Sequence, residues 1–159
     1  MSLFVFVVVI CAIVLIARFV NFTRFNKPSA AQYKPRLLMT NNELEFFHRI
    51  RRAALDGYVF PQVAMSGLIE PVSAGNEPYQ TSFRRISQKR VDYVVFDVTM
   101  KLLAVIELDD RTHDSNKDAV RDAQFMSADI PTLRYESKNK PTESKIQADL
   151  VAILLQKWR

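Results

Sequence analysis

The stretch VDYVVFDVTMKLLAVIELD, residues 91–109, decides the fold of this chain. It contains two apolar runs rich in β-branched and aromatic residues, separated by a short polar turn, and this pattern is typical of a β-hairpin. Each run also carries an acid where a buried strand is normally apolar, namely Asp92 in the first run and Glu107 in the second. The stretch therefore predicts two paired strands that bear a functional site.

The two acids come together if the hairpin turns at Val98 to Lys101 with symmetric pairing, because Asp92 then faces Glu107. Facing side chains have Cβ atoms about 5 Å apart, and two carboxylates so close share either a proton or a cation. The period-two alternation of a strand adds Asp109 to the same face. Three carboxylates favour a hard cation, so we predict a metal site for Mg²⁺ or Mn²⁺ at Asp92, Glu107 and Asp109.

These acids also have structural interpretations. Asp92 fits a strand-initiating acid bonded to the backbone, and Asp109 with Asp110 fits the polar turn that ends a strand. Glu107 is harder to explain in this way, because an unpaired charge buried within an apolar strand is costly.

An apolar run at residues 3–20 contains a single charged residue, Arg18. Its length suffices for a transmembrane helix, which needs roughly 17 to 25 apolar residues. No basic residue precedes the run and no small-residue cleavage pattern follows it, which favours an anchor over a cleaved signal peptide. Because the basic residues follow the run, the positive-inside rule predicts a single-pass protein of the bacterial inner membrane with residues 3–20 in lipid and a cytoplasmic C-terminal domain.

The net charge of +5 belongs to the N-terminal part of the chain. Residues 1–36 hold five of the 22 Lys and Arg residues and none of the 17 acidic residues, so the remainder is balanced. The excess therefore marks residues 21–36 as a basic juxtamembrane linker, and nucleic-acid binding needs a local patch. Such a patch is predicted at four basic residues: Arg84, Arg85, Lys89 and Arg90. The single cysteine, Cys11, excludes an intramolecular disulfide and a cysteine-based metal site.

Residues 37–159 predict one α/β domain with a mixed sheet flanked by helices. Helices are predicted after Thr40, from Ser115 to about Ala128, and after Thr142, each with a capping residue at its start. A strand is predicted at residues 58–65, and another at 131–135 that runs parallel to the preceding strand because a helix connects them. Residues 70–82 contain Pro, Gly and Asn and predict a loop.

Helical spacing predicts which side of each helix is buried. For the helix after Thr40 the predicted buried residues are Leu44, Phe47, Ile50 and Ala54. For the helix from Ser115 they are Ala119, Val120, Ala123, Met126 and Ile130. For the last helix they are Ile146, Leu150, Ile153, Leu154 and Trp158. The opposite side of the second helix carries Asp118, Arg121 and Asp122, which either join the acidic site or form a solvated ion pair.

Several of these segments together resemble an uncharacterised bacterial family, the domain of unknown function 2726, over about residues 37–135. The segments that carry the resemblance are Val91-Asp92-Tyr93, Glu107-Leu108-Asp109-Asp110, His113, Arg121-Asp122 and Ile130-Pro131-Thr132-Leu133-Arg134. This family is in turn similar to the restriction-endonuclease-like (PD-(D/E)XK) superfamily, near the very short patch repair endonucleases. The resemblance implies a mixed sheet flanked by helices, with a magnesium site in which Asp92 and Glu107 are the two acids.

Together with the predicted anchor, the resemblance implies a membrane-anchored, metal-dependent nuclease that hydrolyses DNA phosphodiesters. Asp109 stands where the superfamily usually has a lysine that orients or deprotonates the attacking water, so another residue, a second metal or a loss of activity must account for the difference. His113 is the candidate acid or base, and Arg121 or Arg134 is the candidate phosphate contact. The alternatives are a catalytically inactive nuclease-like module that binds nucleic acid or protein at the inner face of the membrane, and a domain that only scaffolds a complex.

Overall fold

The computed structural model describes residues 3–25, 32–72, 77–109 and 115–157. It divides the chain into two compact units, Met1–Arg36 and Leu37–Arg159. The described part of the first unit contains the helix α1 (Leu3–Phe25).

The predicted membrane anchor is not found in the first unit. Within the described residues, no helix is both long and apolar enough to cross a membrane. This finding contradicts the predicted transmembrane helix at residues 3–20 and the single-pass, inner-membrane placement that depended on it.

The second unit is an α/β domain. Its elements in chain order are α2 (Asn41–Ala53), β1 (Tyr58–Ala64), α3 (Tyr79–Ser87), β2 (Arg90–Phe96), β3 (Leu102–Asp109), α4 (Ser115–Met126), β4 (Thr132–Glu136) and α5 (Glu143–Lys157), and a short 3-10 turn, Met65–Gly67, follows β1. The strands form one sheet in the order β1-β2-β3-β4. β2 is antiparallel to both β1 and β3, and β4 is parallel to β3. The predicted mixed sheet with helices is confirmed, as is the parallel direction of the last strand.

The hairpin register agrees with the symmetric pairing expected from the sequence. Tyr93 pairs with Ile106 and Val94 pairs with Val105, while a shift between Val95 and Phe96 affects only the turn end. Continuation of the regular part by one position places Asp92 opposite Glu107. The register thus brings the two acids of the hairpin face to face.

Helices cover both faces of the sheet, because alternate strand residues point to opposite sides. On one face Phe46 and Ile50 of α2 and Leu150 of α5 pack against Tyr93 and Ile106. On the other face Ile86 of α3 and Phe125 of α4 pack against Val94 and Val105. By alternation, Asp92 and Glu107 belong to this second face, where α4 lies.

Two helices bury only some of the residues predicted for them, since Ile50, Ala54 and Ile130 are buried as predicted. In α2 the buried side chains are Phe46, Ile50 and Ala53, and Leu44 is 41% exposed. In α4 Phe125 is fully buried, whereas Val120 is 53% and Met126 is 73% exposed. The predicted apolar side of α4 was wrong because this helix turns its polar residues toward the sheet.

Other expectations about the elements have mixed outcomes. Thr40 forms the predicted capping box with Glu43 at the start of α2. In α5 Ile146, Leu150 and Ile153 are buried as predicted, and Trp158 lies outside the described residues. The predicted loop at residues 70–82 was wrong in its last part, since α3 begins at Tyr79.

Candidate functional site

Two carboxyl groups from adjacent strands form the centre of the site. Glu107 of β3 is the buried acid, with 3% of its surface exposed. The carboxyl group of Asp92, on β2, lies within hydrogen-bonding reach of the Glu107 carboxyl group. Oδ2 of Asp92 also accepts a hydrogen bond from the backbone N–H of Leu108 at 3.0 Å. The backbone of β3 therefore fixes Asp92 beside its partner.

The surroundings of Glu107 favour its protonated form. Burial raises the pKa of the Glu107 carboxyl group, the nearby Asp92 raises it further, and Arg121 partly opposes both, which leaves the pKa at about 8. At neutral pH the pair of carboxyl groups therefore holds a proton.

Arg121 reaches the same acid from α4. Its Nη1 lies 3.5 Å from Oε1 of Glu107, and its side chain is only 16% exposed. The same Glu107 oxygen is buried and accepts no hydrogen bond from the described residues. Because Phe125 is one helical turn further along α4 and is buried, its packing turns Arg121 toward the sheet. This side of α4 is therefore part of the site rather than a solvated ion pair.

Arg134 joins three elements at the edge of the site. The parallel pairing of β3 with β4 places Arg134 next to Glu107. Its Nη1 donates to both carboxylate oxygens of Asp109, at 2.9 and 3.1 Å. Its Nε and Nη2 donate to the two oxygens of Asp122, at 3.0 and 2.8 Å. These hydrogen bonds, first to Asp122 and then to Asp109, raise the pKa of the Arg134 guanidinium, so it stays charged and ties β3, β4 and α4 together.

The predicted metal site is not supported by this arrangement. Among residues 3–25, 32–72, 77–109 and 115–157, no group of three or more His, Cys, Asp or Glu side chains is placed to hold a metal ion. Asp109 was predicted as the third ligand, but both of its oxygens are bound by Arg134. Metal binding therefore has no support among the described residues, and the assignment of Asp92, Glu107 and Asp109 as ligands of Mg²⁺ or Mn²⁺ stays a prediction.

The predicted basic patch lies at the connection between α3 and β2. Arg84 and Arg85 are exposed in the last turn of α3, Lys89 lies in the connection, and Arg90 is the exposed first residue of β2. Arg85 is already paired with Glu77, with Nη2 2.6 Å from Oε1. The structure thus gathers the four basic residues along one short segment.

One predicted site residue cannot be placed. His113, the candidate acid or base, lies outside the described residues, and so does Asp110. A catalytic role of His113 stays a prediction.

The role of Arg134 was missed by the sequence interpretation. Arg134 was considered only as a contact for phosphate, whereas it binds Asp109 and Asp122 within the protein. The alternation of β4 places Arg134 on one face of the sheet, but its neighbour across the parallel pair depends on how α4 crosses over. Short-range sequence patterns do not determine that register.

Residues 35–153 match a family model described as "Protein of unknown function (DUF2726)". The chain belongs to this family. A curated "Uncharacterized protein" from Haemophilus influenzae is 29% identical over 97 residues, which cover 58% of the chain and 48% of that relative. The DUF2726 chain thus spans about half the length of this relative. No solved structure gives a significant match. The predicted family resemblance is confirmed, and neither description names an activity.

Proposed function

We propose that residues 37–159 form a nuclease-like module that binds nucleic acid without cleaving it. The mixed sheet, in which an antiparallel β1-β2-β3 meander precedes the parallel β4, agrees with the mixed sheet expected from the restriction-endonuclease-like resemblance. The facing positions of Asp92 and Glu107 on adjacent strands agree with the expected places of its two acids.

The observation that carries the proposal is that the acids are neutralised within the chain itself, Asp109 and Asp122 by the Arg134 guanidinium and Glu107 by a bound proton beside Arg121. Arg134 makes four hydrogen bonds to Asp109 and Asp122, and Arg121 pairs with Glu107. Metal-assisted hydrolysis needs anionic carboxylates that are open to a cation. These carboxylates instead stabilise the packing of α4 and β4 on β3, which favours a binding module over a catalyst.

The surface that contacts nucleic acid in this proposal is the basic connection between α3 and β2. Exposed guanidinium groups such as Arg84 and Arg90 bind phosphates without reading sequence. Because residues 37–159 carry equal numbers of acidic and basic residues, the domain has no net positive charge that would attract nucleic acid to its whole surface. The affinity should therefore depend on these few residues and fall as salt is added.

The test uses the full chain and labelled single- and double-stranded oligonucleotides, with binding followed by fluorescence anisotropy over a range of salt concentrations. We expect Arg84→Gln with Arg90→Gln to weaken binding and to lower the slope of log affinity against log salt by up to about two. The matched control is Arg51→Gln with Lys138→Gln, which removes two exposed charges elsewhere and should bind as wild type. The absence of binding at low salt, or equal loss in both double variants, would overturn the proposal.

A second candidate function is phosphodiester hydrolysis. It is favoured by the burial of Glu107 beside Asp92 on the neighbouring strand. The same preparation, incubated with plasmid DNA with and without divalent cations, distinguishes the two functions. Cleavage that is lost in Glu107→Gln would establish the enzyme, whereas intact DNA together with salt-sensitive binding would support the non-cleaving module.

A further inference from the structure

A cavity of about 440 Å³ lies between α3, α4 and residues 69–72. Pockets that bind small organic groups have volumes of about 300 to 1,000 Å³ and combine apolar walls with a few polar groups. The aliphatic residues that line this cavity are Ile69, Pro71, Val72 and Ile86. Its size and walls suit a small, partly apolar group.

The polar residues that line the cavity are Glu70, Ser82, Arg85, Gln124 and Ser127, and among them the amide of Gln124 has an unsatisfied buried acceptor. This residue lines the cavity, and its Oε1 is buried without a hydrogen-bond partner among the described residues. A buried acceptor in that state costs free energy unless a ligand or water donates to it. Rotation of the amide by half a turn presents the N–H₂ group instead, so the same side chain matches ligands that carry both donors and acceptors on one edge.

The charged residues at the cavity indicate which chemical group is attached to the part of the ligand that enters it. Arg85 and Glu70 both line the cavity; the Arg85 side chain is 57% exposed and is paired with Glu77. Arg84 is its exposed neighbour on the same helical turn. Both belong to the basic segment to which we assigned phosphate binding. A group with an apolar face, a hydrogen-bonding edge and an attached phosphate is a nucleotide.

The cavity is also close to the acid pair along α4. Gln124 follows Arg121 by three residues, so the two side chains are neighbours on one helix face with a rise of about 4.5 Å between them. Arg121 in turn contacts Glu107. The cavity and the acid pair therefore lie along the same side of α4.

From these observations we infer that the cavity receives an unpaired nucleobase of the bound nucleic acid, with Gln124 hydrogen-bonding to the edge of the base. This inference rests on the proposed binding of nucleic acid and specifies it, since duplex DNA offers no unpaired base unless one is turned out of the stack. Single strands, whose bases are free to stack and to bond with side chains, are then the preferred ligands.

The experiment titrates the full chain with the four 5′-mononucleotides and with ribose 5-phosphate, which lacks a base, and follows binding by calorimetry. We expect saturable binding of at least one mononucleotide and none of ribose 5-phosphate. Gln124→Leu should weaken that binding by up to about tenfold, the value of one neutral hydrogen bond. Val72→Glu should also weaken it, because Val72 is 85% exposed and the substitution places a charge on the cavity wall without disturbing the core.

Gln147→Leu, at an exposed position of α5, is the matched control and should bind as wild type. Failure of all four mononucleotides to bind, equal binding of ribose 5-phosphate, or wild-type affinity in both cavity variants would overturn the inference. Oligonucleotide binding measured in parallel separates this result from the proposed function. If oligonucleotides bind and mononucleotides do not, only the inferred base pocket is contradicted. If oligonucleotides do not bind either, the proposed nucleic-acid-binding function is contradicted as well.

Discussion

At the scale of residues, the site is a set of charges that compensate one another. Burial of Glu107 disfavours its ionised form, and the neighbouring Asp92 adds to that effect. Arg134 satisfies both Asp109 and Asp122 through a planar fork of donors, a geometry that lysine does not offer. The residue that departs from the nuclease pattern, Asp109, is thus the one that Arg134 holds.

The raised pKa of Glu107 predicts a pH-dependent stability. The pKa is about 8 in the folded protein against an ordinary value of 4.5, so the folded state binds the proton more tightly than the unfolded state. The free energy of unfolding should therefore fall as pH rises from about 5 to 8, by at most about 1.4 kcal/mol per pH unit. Urea denaturation of wild type and Glu107→Gln across this range checks it, because the variant should lose this slope. An unchanged slope in Glu107→Gln would show that another group titrates.

Removal of Arg134 should leave two carboxylates without their cation. We expect Arg134→Leu to lower the free energy of unfolding by about 2 kcal/mol, less than for a fully buried pair because these side chains are partly exposed. Addition of Asp109→Asn to this variant should recover part of the loss. Arg51→Leu, an exposed change on α2, is the control and should stay within about 0.5 kcal/mol of wild type. If the double variant were less stable than Arg134→Leu, repulsion of the unpaired Asp109 would not be the cause.

At the scale of elements, the orientation of α4 about its own axis determines whether its polar residues form part of the site. In α4 the largest apolar side chain is Phe125, and it has no exposed surface. The side of the helix that carries Phe125 is therefore the buried side. Arg121 and Asp122, four and three residues earlier, then face the sheet with it. The orientation of a single helix therefore supplies two of the charged groups of the site.

This orientation predicts opposite effects for two adjacent residues of α4. Phe125→Ala should lower the free energy of unfolding by about 3 to 5 kcal/mol, as is typical when a buried Phe is truncated. Met126→Ala should change it by less than about 0.5 kcal/mol, because Met126 is 73% exposed. Chemical denaturation of both variants measures the difference. Equal losses would mean that α4 buries the side predicted from apolar spacing.

The hairpin could be predicted from the sequence, whereas the position of α4 could not. Strand alternation and a short turn fix the pairing of β2 with β3 locally, so the facing of Asp92 and Glu107 followed from residue numbers. For α4 the apolar residues Val120 and Met126 suggested one side and Phe125 the other, and only packing on Val94 and Val105 decides between them. The partners of Arg134 depend on that same packing, which explains why the charge network was missed.

At the scale of the whole molecule, the described core belongs to the second unit. Both hydrophobic clusters consist of residues between Met39 and Leu154, and the same interval holds the acid pair, both arginines of the site and the cavity next to α4. The residues to which nucleic-acid binding is assigned, as proposed, therefore all lie outside residues 1–36.

The second unit should accordingly fold when it is produced alone. We expect the fragment of residues 37–159 to unfold in one cooperative transition, with a midpoint within a few degrees of that of the full chain, because no described core residue is lost. Thermal unfolding followed by circular dichroism checks this. Thr40→Ala in the fragment serves as a reference for the size of a Tm change. Removal of the capping box of α2 should lower the free energy of unfolding by about 1 kcal/mol, or Tm by about 4 °C. A fragment that is unfolded, or whose Tm falls far more than this reference, would show that residues 1–36 support the domain, and the module would then have to be studied only within the full chain.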